Sequence, residues 1–238
     1  MFRTLVLSAA AAGVAAGLFT GVVQHVTTTP IIIAAEAYEG GDAPAHDHSG
    51  LAIPGIVIAT HDAAVGEAEE WGPADGIERT LYTSLATTVL GVGFGLALLS
   101  AMVLTGVRID ARSGLAFGVA GFAAFSLAPA LGLPPEIPGS GAAALADRQL
   151  WWAFAAAATA GGLGLLLLSG RRALQIGGAI LIALPHLIGA PHPDAFASTA
   201  PAELAGHFAA ASLAVSALFW ALLGSMSGGF HERFAQRG

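Results

Sequence analysis

The 238 residues combine 55% apolar side chains with only 11% charged ones, a mean hydropathy of +0.72 and a formal net charge of −7. Too little polar surface is available to coat a water-soluble globule, so the composition places the chain in a bilayer. Cysteine is absent and all nine basic residues are arginine, which excludes disulfides, thiolate metal sites, Cys nucleophiles, a P-loop and a Schiff-base lysine.

Residues 5–26 form an uncharged run of 22, about 33 Å as a helix, which matches a hydrocarbon core of roughly 30 Å. They are read as a first membrane span, with a cleaved signal peptide as the competing reading. Gly13, Gly17 and Gly21 recur every four residues, a ladder that admits close approach of another helix. His25 extends that stripe and so is expected to face protein.

Residues 27–78 are polar and external, with ten acidic side chains and three histidines. A helical extension is expected over 31–38, ending near Glu36. The tract His46, Asp47, His48, His61 and Asp62 has the composition of a weak metal binder or of a solvated loop.

The further spans are expected at about 80–104, 114–131, 150–169, 174–189 and 204–224. Glu78 precedes the second. Pro129 interrupts the third and is expected to bend its exit, beyond which Glu136 lies where it can turn back toward a site. Trp151 and Trp152 mark an interface belt at the start of the fourth. The fifth is short and broken at Pro185. The expected fold is therefore an all-α integral membrane protein, a single domain of about six transmembrane helices with an external loop at 27–78.

Arginine placement orients it. With both termini cytoplasmic, Arg3, Arg108, Arg112, Arg171, Arg172, Arg233 and Arg237 fall inside, and only Arg79 and Arg148 fall outside. Fourteen of the sixteen acidic residues fall on the outer side, which would concentrate cations there.

The chemically costly groups gather on that side: His25, Glu36, Glu78, Glu136, His186, His192, Glu203 and His207. Imidazoles and carboxylates without thiolates suit Co, Ni, Zn, Mn or Fe(II). Glu203 and His207 are i, i+4 and share a helix face. His186, after Pro185 inside an apolar segment, is expected to meet a partner or a wet cavity instead of lipid. The stretch 174–207, which carries four of these groups, is the expected centre of a metal-handling site. Entry of a doubly charged ion down the membrane potential would gain about 4.6 kcal/mol per 100 mV, so an ATP motif is not required.

The segments WGPADGIERTLYTSLATTVLGVGFGLAL, GLPPEIPG, RQLWWAF, LPHLIGAPHP and ASLAVSALFWALLG, together with the first 39 residues, resemble the CbtA family of proposed bacterial cobalt-transporter subunits. The resemblance implies an inner-membrane protein serving cobalt supply for cobalamin, with Co2+ as transported cargo and a small, single-span, His-rich CbtB-type subunit as partner. It also implies five spans where hydropathy suggests six. The small-residue ladders leave a homo-oligomer open. A non-transporting metal-delivery or assembly subunit is the alternative function, and a carrier of an organic solute lacks a cationic clamp. No HExxH or GxSxG motif is present, so no enzyme is expected.

Overall fold

The computed structural model describes residues 2–38, 51–53, 56–58, 73, 76–193 and 198–237. Its helices are α1 (Phe2–Val26), α2 (Thr28–Glu36), α3 (Ile77–Thr105), α4 (Ala111–Phe122), α5 (Ala128–Ala130), α6 (Leu145–Leu168), α7 (Arg172–Ile188) and α8 (Ala202–Ala235), with a π-helical turn (Ala123–Leu127) joining α4 to α5. A short antiparallel hairpin, β1 (Leu51–Ile53) with β2 (Ile56–Ile58), lies between α2 and α3.

Among the described residues, five helices are long and apolar enough to cross a membrane: α1, α3, the continuous 111–130 segment, α6 and α8. The fifth expected span, α7, has 17 residues, about 26 Å at 1.5 Å per residue and so shorter than a hydrocarbon core. It nonetheless returns the chain from one end of the bundle to the other. Gly178 of α7 meets the Gly162 carbonyl of α6, and the rings of Trp151 and His186 meet further along, so the two helices run antiparallel. Pro185 does not break α7, which continues one turn further and ends where Gly189, at φ 90°, donates its N–H to the Pro185 carbonyl at 3.0 Å.

Close backbone approach defines the bundle. Gly13, Gly17 and Gly21 of α1 face α3 at Val92, Thr88 and Ser84, where any side chain would strike backbone or Cβ. Thr87 Oγ1 donates to the Gly17 carbonyl at 3.0 Å across this seam. A second seam joins α4 to α8, with Gly114 and Gly118 against Gly224 and the Trp220 carbonyl. Both are the small-residue packing expected where lipid supplies no hydrophobic drive between helices. Between the seams Ala12, Ala16, Leu98, Trp220 and Leu223 form a buried core.

At the exit of the third span the perturbation expected at Pro129 includes a π-helical turn. Pro129 has no N–H, and its ring would crowd a carbonyl four residues back. The helix widens by one residue, the Ala128 N–H reaching the Ala123 carbonyl, and normal pairing resumes at Leu131. The last helix, expected to end near 224, continues to Ala235 because Gly224 and Gly228 pack on α4 and Glu232 pairs with Arg108 at 2.9 Å.

The end at which α1 passes into α2 is the upper end. There Ile31, Ala35, Ile137, Ala200 and Phe208 bury one another as an apolar plug joining α2, the α5–α6 loop and the start of α8. Both chain ends lie at the opposite, lower end, where Phe234 and Leu7 line one groove. Replacing Gly118 or Gly224 by leucine is expected to cost about 3 kcal/mol or more through overpacking, whereas Gly93→Ala, with open space around it, should gain roughly 0.5–1 kcal/mol from helix propensity. Thermal unfolding in detergent followed by circular dichroism checks both.

Candidate functional site

The eight candidate ligands lie at the upper end and fall into three neighbourhoods. On the α1–α3 side, the Arg79 guanidinium donates to Glu36 Oε1 at 2.9 Å, drawing the end of α2 onto the first turn of α3. One residue on, Thr80 Oγ1 lies 2.9 Å from His25 Nδ1 and also 2.9 Å from the Gly76 carbonyl. The hydroxyl has one proton. When it goes to Gly76, His25 must donate from Nδ1, and Nε2 becomes the lone-pair nitrogen of an exposed ring. Glu78 is exposed in the first turn of α3, where the helix dipole favours a carboxylate.

The second neighbourhood is the top of the α6–α7 hairpin. Arg148 donates to Glu136 Oε2 at 2.7 Å, with both side chains about one-quarter to one-third exposed, at 25% and 29%. Burial pushes the Glu136 carboxyl above its ordinary value, and the Arg148 charge opposes that rise. One turn along α6, Trp151 is buried beneath Gly132 and Ala190 and meets the edge of His186 at 6.0 Å between centroids and 70° between planes. His186 is half-buried.

The third is the start of α8, where Glu203 and His207 occupy successive turns of one face, both exposed. His192 is exposed in the preceding loop. Among the described residues, no group of three or more His, Asp or Glu side chains converges closely enough to hold a metal ion. The expected convergence of His186, Glu203 and His207 is therefore not present as a cluster within one chain. His46, Asp47, His48, His61, Asp62 and Asp194 lie outside the described residues.

What unites the three neighbourhoods is the plug. Glu36 follows Ala35, Glu136 precedes Ile137, and His207 precedes Phe208, so each flanks a plug residue. Three of the eight candidate donors thus border an apolar cap. Sequence reasoning missed the partners of these donors: the two arginines assigned to the upper end, Arg79 and Arg148, are the two that hold Glu36 and Glu136. Their isolation from the other seven arginines was the available signal.

A family model described as probable cobalt transporter subunit (CbtA) matches residues 2–232. The chain belongs to the CbtA family. Neither a curated protein nor a solved structure matches it significantly. That family description, a probable cobalt transporter subunit, makes cobalt a transported ion and not a resident cofactor.

The upward shift of Glu136 has a sign. Its protonated form is favoured by folding, so its contribution to stability is full below the ordinary carboxyl value of 4.5 and is lost as pH rises through the higher folded value. Melting temperature in detergent should fall for the parent as pH rises from the ordinary carboxyl value through the higher folded one. In Glu136→Gln the fall should be shallower, and Arg148→Gln should move the transition to higher pH.

Proposed function

We propose that this CbtA subunit admits divalent cobalt across the bacterial inner membrane, with the upper rim outside, both termini in the cytoplasm and His186, Glu203 and His207 among the first groups to meet the ion. The observation that carries the reading is the family match along nearly the whole chain, joined to a bundle of five membrane-length helices. Seven arginines at the lower end support that orientation by the positive-inside rule.

At the rim, Glu36 and Glu136 are held by guanidinium groups, so an arriving ion competes with arginine for them. A paired carboxylate is cheaper to keep half-buried than a bare one, and exchange of Arg for metal makes capture reversible. His25, Glu78 and His192 are exposed around the same rim and offer further single donors. Among the described residues no three donors converge, so a complete coordination shell needs further ones. A small His-rich CbtB-type subunit fits that need, as does a second copy of this chain. The inside-negative potential supplies about 4.6 kcal/mol per 100 mV for the doubly charged ion. The product would serve cobalamin supply.

The absence of a three-ligand group among the described residues favours a second reading, a membrane subunit that delivers or assembles without itself transporting. Co2+ uptake into proteoliposomes, with and without the partner subunit, separates the two. Transport predicts time-dependent accumulation inside, reduced roughly tenfold by His186→Ala and by Glu203→Ala with folding intact. Binding without accumulation establishes delivery, and unchanged uptake in both variants removes those residues from the path.

A further inference from the structure

Below the plug the bundle holds a set of oxygens that the rim does not explain. Thr20 and Gln24 lie one turn apart on a single face of α1, 3% and 7% exposed, and among the described residues Thr20 Oγ1 and Gln24 Oε1 have no hydrogen-bond partner. Leaving a buried polar group unpaired is costly, so two adjacent ones call for a ligand.

The opposite wall is also polar. Antiparallel α8 shares one core cluster with α1 through Ala16 and Trp220, and a second cluster joins Ile31 and Ala35 to Phe208. That register sets Thr20 and Gln24 level with Ser216 and Ser212, both buried and one turn apart on α8. Ser216 Oγ is 2.7 Å from Ser126 Oγ in the π-helical turn, and the Trp220 indole N–H donates to Ser126 at 3.2 Å. The widened turn thus anchors Ser216 in the serine wall, while the threonine and glutamine oxygens opposite are buried and unpaired.

We propose that Thr20, Gln24, Ser212 and Ser216 form a seat between α1 and α8 for a divalent cation retaining part of its water shell; this rests on reading the chain as part of a cation-transport system. Hydroxyl and amide oxygens accept hydrogen bonds from coordinated water or replace a water directly. No charged side chain lies between Arg3 and Glu36, or between Glu203 and Glu232. The seat therefore binds without a neutralising carboxylate and releases readily, as a transit position must. Selection among metals belongs to the imidazoles above it.

The test exploits a signature that a purely structural role would not give. If the open oxygens exist for the cation, Thr20→Val and Gln24→Leu remove an unpaired group and should raise or preserve the melting temperature while cutting Co2+ uptake roughly tenfold. Thr159 provides the control: its hydroxyl is equally buried and unpartnered, but on α6, which packs on α7 and the π-helical turn. Thr159→Val should preserve or raise stability and keep uptake, and Thr20→Ser should retain it too. Parental uptake in Thr20→Val and Gln24→Leu overturns the seat. Should the parent itself not transport, the transport reading falls separately, and Co2+-dependent thermal stabilisation decides: its loss in these two variants supports the seat, and its persistence overturns it.

Discussion

The constraint on which this bundle depends is backbone contact between helices. Lipid is as apolar as leucine, so burying leucine between helices gains little, and association must come from close packing and dispersion. Gly13, Gly17 and Gly21 let α1 approach α3, and Gly114, Gly118 and Gly224 let α4 approach α8. Large side chains are left for the outside: Leu18, Val22, Leu81, Leu85 and Leu104 are all exposed, where lipid would cover them.

The α6–α7 hairpin is attached differently. It has its own glycine seam, Gly162 against Gly178, and meets the rest mainly at the π-helical turn and α5. Its upper tip carries the Arg148–Glu136 pair and the Trp151–His186 contact. The upper rim is thus assembled from two bodies: the apolar plug of Ile31, Ala35, Ile137, Ala200 and Phe208 closes the bundle side, and the Arg148–Glu136 pair ties the hairpin to the loop beside it. Paired rather than bare carboxylates at that junction are what a half-buried position tolerates, since an isolated ionised group there would lose hydration without compensation.

The π-helical turn illustrates how one residue type reaches several levels of structure. Pro129 removes an N–H and crowds the preceding carbonyls; the helix answers by widening, and that places Ser126 between Ser216 and the Trp220 indole. Phe94 and Phe125 then close around the same indole, with centroids at 4.7 and 5.6 Å. Pro129 was legible in the sequence as a perturbation, but not the form the perturbation took, because a bend and a widened turn satisfy the same missing donor.

By itself the sequence determined the class of molecule and the glycine faces, because hydropathy, length and four-residue spacing are local quantities that a bilayer reads one helix at a time. It also separated Arg79 and Arg148 from the other arginines and gathered the imidazoles and carboxylates at one end. Only the tertiary structure decided what those groups touch: that Glu36 and Glu136 are held by arginine, that His186 lies against Trp151, that Glu203 and His207 are exposed, and that Thr20 and Gln24 are left open within the bundle. Such pairings join residues as far apart as Ser126 and Ser216, and they depend on the rotation of each helix about its axis. That rotation is set by which small residues interlock across a seam, a property of two helices together and of neither alone.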